Sequence, residues 1–362
     1  MSQPVPPPSA EAQLAFLAKL QRLFSEGNFT ATYKFALLIA LADLAVEIGA
    51  DDGAALPLSN QQIAERFVQL YWQHASPYTV GPTGVETGLL IRNFGSQAAV
   101  ITAIADFRQS NNVHTLVQAR ALSQYSSLLI KVAATVSAQP LTYLQNFGGG
   151  TDQFLYERNG RGSILLKPGV VYCLRRFYPL VQHLSRTHWV EHIKSNKLNQ
   201  IILGKSRNLE DFLLSTSRQS LLLIAEGLRK LDGDRCFYCN HRLNETDVDH
   251  FIPFSLYPRD LAHNFVLAHP KCNRSKSDTL AARPHLERWL ERLVRCSDDL
   301  TELGFSVGVN ADSATSKHVT AWGYSSALEA GGKAWLDSAK YEAITCEYLE
   351  LFYPRPHPDT WR

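Results

Sequence analysis

Residues 247–255, Asp-Val-Asp-His-Phe-Ile-Pro-Phe-Ser, read as a buried strand that carries two aspartates and a histidine. Burying a carboxylate and an imidazole among Val248, Phe251, Ile252 and Phe254 is costly unless a cation or a hydrogen-bonding partner stands beside them. A strand needs neither residue type for its own sake, so the pattern points to a bound cation or to a reaction. The flanking sequence adds softer ligands. Cys236 and Cys239 have C-x-x-C spacing, and His269 and Cys272 follow as H-x-x-C. Two such pairs separated by a loop supply the four ligands of a closed tetrahedral zinc site. An ion held there is structural, since no position remains for substrate. His241 is the alternative nitrogen ligand, at a poorer spacing.

Between and after these pairs come "VDHFIP", "HNFVLAH" and "CNRSKSD". With them, the segment 236–278 resembles the HNH endonucleases, whose core is a ββα-metal unit. The family pattern runs from a zinc C-x-x-C, through Asp-His on a first strand and Asn on a second, to the start of a helix. Here these are Asp249-His250, Asn264, and Cys272-Asn273 with Lys276. "DVDHFIP" and "NRSKSD" are especially similar to the HNH domain of CRISPR effector nucleases. The third position of the name is often His and here is Asn273, which keeps a metal-binding oxygen and favours harder ions.

The resemblance implies a division of labour. Hydrolysis of a phosphodiester needs an activated water, neutralised phosphoryl charge and a stabilised leaving oxygen. His250 suits the role of base, because an imidazole with a pKa of about 6.5 is largely neutral at pH 7. Asp249 points to the opposite strand face unless the turn twists it, yet in the family its carboxylate ligates the catalytic ion. Asn273 supplies the second protein ligand, an open arrangement that suits Mg²⁺ or Mn²⁺. By analogy Asn264 fixes the loop that orients His250 through hydrogen bonds. Asp247 reaches the same ion or caps the strand. Arg274 and Lys276, on the helix's first turn, are either nucleic-acid contacts beside the phosphate or ordinary surface residues.

The rest of the chain must position these groups. Of the 362 residues, 45% are apolar and 19% charged, which describes a globular protein with a real core. No apolar run reaches the length of a membrane span, and residues 1–12 read as a disordered leader rather than a signal peptide. Six cysteines in so long a chain point to metal in a reducing compartment rather than to bridges, so a cytoplasmic protein is expected. Residues 13–145 read as a helical domain, with a buried helix over 30–49 ending at Gly49 and a Ser59/Gln62 capping box. Residues 146–230 read as a hairpin turning at Asn159-Gly160, followed by helices at 168–185 and 207–230. From Asp152 to Lys230 there are 13 Lys or Arg against 6 Asp or Glu, a surplus that suits a polyanionic partner. Arg158 and Arg161 at the hairpin tip are either phosphate contacts or solvated turn residues. Residues 231–300 form the nuclease domain, with an amphipathic helix at 284–295, and 301–362 a helical extension. The fold class expected is mainly α with a small α+β ββα-metal nuclease domain.

Together these readings describe a metal-dependent endonuclease acting on DNA, expected to be double-stranded, with Mg²⁺ or Mn²⁺ at the reaction site and structural Zn²⁺. A lone site of this kind nicks one strand per visit, so specificity must come from the helical region, the basic segment, a protein partner or a second copy. By architecture the chain is similar to effectors of bacterial anti-phage defence. The alternative is a zinc-stabilised nucleic-acid-binding or assembly module with an inactive site.

Overall fold

The computed structural model describes residues 5–80, 85–93, 97–160, 162–203, 209–214, 218–338 and 340–353. They divide into two compact units, with the boundary between Ser215 and Thr216. That boundary falls inside the stretch 146–230 expected to act as one segment. The architecture is mainly helical, with several small antiparallel sheets.

The first unit opens with α1 (Ala10–Glu26), α2 (Tyr33–Ile48), β1 (Leu56–Ser59) and α3 (Asn60–Trp72). A short hairpin of β2 (Tyr78–Val80) and β3 (Val85–Gly88) precedes α4 (Ala99–Asn111), α5 (Leu116–Arg120), α6 (Tyr125–Ala138) and α7 (Pro140–Tyr143). Then come β4 (Asn146–Phe147), β5 (Gly150–Thr151), β6 (Tyr156–Arg158), β7 (Ser163–Leu166), α8 (Val170–Arg176), α9 (Tyr178–Ser195), α10 (Lys197–Leu203) and α11 (Leu209–Leu214). The apolar helix α2 is buried along nearly its whole length and packs against α3, α7, α8 and α9. Its buried Asp43 accepts hydrogen bonds from Tyr178 Oη (2.7 Å) and Gln182 Nε2 (2.8 Å).

The C-terminus of α2 is closed by Arg175. Its Nη1 donates to the carbonyls of Ala45 (3.1 Å), Val46 (3.0 Å) and Gly49 (3.1 Å), while Nε and Nη2 pair with Asp51. Gly49 has an ordinary φ of −85°. A Cβ there would lie 2.4 Å from the Ala45 carbonyl and 2.6 Å from Val171 Cγ1, so the position needs glycine for space rather than for a left-handed turn.

The capping box of Ser59 and Gln62 starts α3 as the spacing predicts. The hairpin of β6 and β7 turns at Asn159-Gly160, where Gly160 has φ +70°, and β1 pairs with the outer side of β7. Arg158 is held by the side chains of Ser137 and Thr142 and the Ser137 carbonyl, the position of a tethered turn residue. Arg161 lies outside the described residues. The helix expected at 168–185 breaks at Phe177, because Pro179 cannot donate into α8 and starts α9 instead.

The second unit comprises α12 (Arg218–Asp232), β8 (Asp247–His250), a 3-10 turn (Ala262–Asn264), β9 (Phe265–Ala268), α13 (Pro270–Lys276), α14 (Arg283–Val307), α15 (Ser313–Glu329), β10 (Lys333–Asp337), β11 (Lys340–Ala343) and α16 (Cys346–Glu350). Helix α12 packs against α14 and against both strands of the β8–β9 hairpin. The buried Trp289 of α14 stacks on Phe251 at 5.0 Å between ring centroids. Helix α14 runs well past the expected 284–295, with a kink at Cys296.

The C-terminal part departs from the helical extension expected at 301–362. Gly331 and Gly332 end α15, and the following residues form the hairpin β10–β11. Trp335 there pairs its backbone with the segment after α13, through Trp335 N–H to Leu280 O (2.8 Å) and Ala282 N–H to Trp335 O (2.7 Å). An open backbone edge at 280–282 thus recruits a strand, an interaction that no local pattern around residue 335 encodes. Among the described residues no helix is long and apolar enough to cross a membrane.

Replacing Arg175 with Met leaves three helix-end carbonyls without their donor and Asp51 without its cation. The substitution is expected to destabilise the first unit by roughly 3–5 kcal/mol. Urea unfolding measures this, and an unchanged midpoint would remove Arg175 as the cap of α2.

Candidate functional site

The site is built on β8 and β9, which pair antiparallel with Asp247 opposite Ala268, Asp249 opposite Val266 and His250 opposite Phe265. A tight turn precedes the hairpin. Cys236 N–H donates to His241 O (2.9 Å), Asn240 N–H donates to Cys236 O (2.9 Å), and Asn240 takes a positive φ of 59°. Phe237 N–H donates to Leu267 O (2.8 Å) and fastens this turn to β9.

The fastening brings Cys236 and Cys239 to His269 and Cys272, and the four ligand atoms lie within 4.8 Å of one another. His269 Nδ1 faces Cys239 Sγ at 3.3 Å, and its Nε2 donates to the Arg242 carbonyl at 3.0 Å. That outer bond fixes the tautomer with the Nδ1 lone pair toward the sulfurs, as in a histidine prepared for a metal. Burial raises the Cys236 thiol, but backbone N–H groups of Cys239, His269 and Tyr238 bring it below its ordinary value. Burial and the neighbouring sulfurs of Cys236 and Cys239 push the Cys272 thiol up to about 12. Three crowded sulfurs and one oriented imidazole are a donor set that can hold a zinc ion. His241 is exposed and outside the set.

Adjacent strand residues alternate in direction, and Asp249 and His250 do so here. Asp249 is buried; its Oδ2 accepts from Tyr238 Oη (2.5 Å) and pairs with Lys276 Nζ (3.1 Å). Both bonds go to Oδ2, and Oδ1 accepts none among the described residues. Asp247, two residues earlier, shares this face and receives Asn273 Nδ2 at 3.1 Å. Two carboxylates of β8 and the amide of α13 thereby come to one place, with Oδ1 of both Asp247 and Asp249 still open among the described residues.

On the other face, His250 lies between the rings of Phe254 (5.3 Å) and Phe265 (4.7 Å). Its Nε2 is 2.6 Å from Asp260 Oδ1, and Nδ1 makes no hydrogen bond among the described residues. Asn264 clamps the bend after β8: its Oδ1 accepts from Ile252 N–H (2.8 Å) and its Nδ2 donates to Ile252 O (2.9 Å).

Lys276 does not have the place expected of a nucleic-acid contact. It is fully buried, donates to the His250 carbonyl (2.9 Å) and pairs with Asp249, so a phosphate backbone cannot reach it. Helix α13 begins at Pro270, which puts Arg274 and Lys276 in its second turn rather than its first. Arg274 is exposed. Burial lowers the Lys276 ammonium below the usual lysine range, and the Asp249 charge offsets part of that. Burial, then the Asp249 charge, keeps the Tyr238 phenol protonated and able to donate.

Asp260 and Tyr238 were not among the residues that sequence spacing singled out. Asp260 is acidic in a loop otherwise rich in Pro, Tyr and Leu, and that was its only signal. Tyr238, inside the C-x-x-C, reads as a spacer until Lys276 and Asp249 are seen around its hydroxyl. His263 is a core residue whose Nε2 bonds the Ser297 carbonyl (3.1 Å).

If the sulfur cluster holds an ion, that ion joins the turn at 236–240 to α13 and contributes to folding of the second unit. Metal analysis is expected to give one zinc per chain, lost in Cys272→Ser. Stripping it with a strong chelator is expected to lower the melting temperature of wild type toward that of the variant. Equal melting of stripped and untreated protein would contradict a structural ion.

Comparison with protein families gives two matches. A domain of unknown function (DUF8808) matches residues 13–209, and an HNH endonuclease family matches residues 236–282. Comparison with curated proteins finds no match. The second match coincides with the cysteine–histidine cluster and the β8–β9 hairpin, so this segment is an HNH-like domain. With the first match covering more than half of its residues, the chain belongs to the DUF8808 family and carries an HNH-like domain after it.

Proposed function

We propose that the protein is a metal-dependent endonuclease that hydrolyses phosphodiester bonds of double-stranded DNA, one strand per encounter, with the β8–β9 hairpin and α13 as a ββα-metal core. The observation that carries this reading is the state of His250. Its Nε2 lies 2.6 Å from Asp260 Oδ1 and its Nδ1 has no hydrogen-bond partner among the described residues; in the neutral ring that donates to this carboxylate through Nε2, Nδ1 is the lone pair. A half-buried imidazole with an oriented lone pair and a carboxylate behind it has the arrangement of a general base.

In this reading His250 Nδ1 takes a proton from the attacking water as its oxygen bonds to phosphorus. Asp260 stabilises the imidazolium that results and keeps the ring from turning. Asn264 acts through the backbone at Ile252 and holds the strand end that presents His250. Asp249 through Oδ1, Asn273 and Asp247 are the groups suited to a hard cation, and Tyr238 and Lys276 hold the Asp249 carboxylate in its orientation. A bound Mg²⁺ or Mn²⁺ supplies charge neutralisation at the phosphoryl group and at the departing oxygen. Zinc at Cys236, Cys239, His269 and Cys272 takes no part in the chemistry. The exposed Arg274 is the remaining candidate for a phosphate contact from α13.

One observation favours a second reading, a zinc-stabilised binding module without activity. The Lys276 ammonium already neutralises Asp249, as a cation would. Supercoiled plasmid with Mg²⁺ or Mn²⁺ separates the two. Under the nuclease reading wild type produces nicked circles, His250→Ala slows this by on the order of 10²–10⁴-fold, and Asp260→Asn slows it by at least about 10-fold with DNA binding kept. Equal inertness of all three, with DNA retained, supports the module. Labelled RNA in the same assay tests the substrate class.

A further inference from the structure

Residues 91–93 of the first unit form an extended segment held from several directions. The side chain of Asn199 accepts from Ile91 N–H (2.7 Å) and donates to Ile91 O (2.8 Å). Thr32 N–H donates to Arg92 O (3.3 Å), and Asn196 Nδ2 donates to Asn93 O (3.2 Å). A backbone bridge joins Ala31 to Asn93. Asn196 and Asn199 are themselves buried. All of this polar structure fixes the position of one residue, Arg92.

The Arg92 side chain has 0% exposure, and Nε, Nη1 and Nη2 are all shielded from solvent without a hydrogen-bond partner among the described residues. Arg175, the other buried arginine of this unit discussed above, contrasts with it by spending its guanidinium on three carbonyls and a carboxylate. Tyr71 and His74 lie within reach of the Arg92 charge. The rings of Tyr71, His74 and Trp189 pack on one another with centroids 5.1–5.5 Å apart. Tyr71 Oη bonds Thr32 Oγ1 at 2.7 Å, beside the Arg92 backbone. Among the described residues Trp189 Nε1 is buried without an acceptor and His74 Nδ1 without a partner, the His74 Nε2 being used on the Leu213 carbonyl at 2.9 Å. Burial lowers Arg92 to about 9, and burial followed by the Arg92 charge holds His74 neutral.

A guanidinium at its lowered value still carries its charge at pH 7. Taking that charge out of water costs several kcal/mol unless a counter-charge and acceptors are supplied. The five N–H donors of Arg92 lack acceptors among the described residues. Water supplies acceptors but no charge. We propose that Arg92 anchors a binding site for a small oxyanion-bearing ligand, whose phosphate or carboxylate group pairs bidentately with the guanidinium fork. Two acceptor oxygens in one plane are the match for this donor geometry. The depth of the side chain selects a small molecule over a polynucleotide, so this site is separate from the proposed nuclease site and does not depend on it.

The full chain, prepared without phosphate or carboxylate buffers, is first weighed by native mass spectrometry and then melted against inorganic phosphate and, separately, succinate. Either a bound mass that is absent from Arg92→Met, or a melting shift of about 5–10 °C at roughly a hundredfold excess over Kd, supports the site. The probe that shifts melting tells phosphate from carboxylate. Arg92→Met deletes an unpaired buried charge, so it is expected to fold and to melt no lower than wild type without ligand. It is also expected to lose the response. A bare mass together with melting indifferent to both probes overturns the proposal, as does an equal shift in Arg92→Met, which marks a general salt effect.

Discussion

A β-strand sends neighbouring side chains to opposite faces, and the two residues on which the proposed chemistry turns, Asp249 and His250, are neighbours. Neither face alone can complete a site. The Asp249 face needs α13 behind it, and the His250 face needs the 254–265 loop that returns Asp260. The C-terminal hairpin enters here as well. Trp335 packs edge-on against Tyr238 at 5.2 Å and donates from Nε1 to Ser275 of α13 at 3.0 Å. What looks like a remote extension is part of the wall that holds the Asp249 carboxylate.

Lys276 joins the two faces. One ammonium reaches the carboxylate of Asp249 and the backbone carbonyl of His250, so a shift of α13 against β8 would be felt on both sides at once. Burying this ion pair is not a net source of stability, since desolvation of two charges offsets most of their attraction. Its worth lies in geometry: Tyr238 and the His250 carbonyl satisfy what the pair leaves open. The cysteine–histidine cluster acts on the same joint from the other end, because His269 and Cys272 flank the start of α13 while Cys236 and Cys239 are fastened to β9 by the Phe237 bond.

The soft ligand set was legible in the sequence because C-x-x-C and H-x-x-C are local spacings, and while the second strand came only with the HNH resemblance, the first followed from the apolar residues around 248. The strict alternation at 249 and 250 was legible for the same reason. Asp260, Tyr238 and the burial of Lys276 were not, since each depends on partners far along the chain and carries no local signature. Lys276 shows the limit best: a lysine beside an arginine at a helix start reads as a surface cation, and only the packed helix reveals that it points inward. The hairpin at 333–343 escaped for a related reason, being recruited by the free backbone edge at 280–282. In the first unit, α2 and the capping box before α3 were plain from composition and spacing, whereas Arg92 lay in a stretch with no pattern at all.

The central claim is that the Asp249 face of β8 takes a hard cation while the sulfur cluster takes a soft one. Anomalous diffraction from crystals grown with zinc and soaked in manganese measures both at once. Zinc is expected among Cys236, Cys239, His269 and Cys272, and manganese on Asp249 and Asn273. A crystal saturated with manganese that shows zinc alone, with Lys276 the only cation on Asp249, would contradict it.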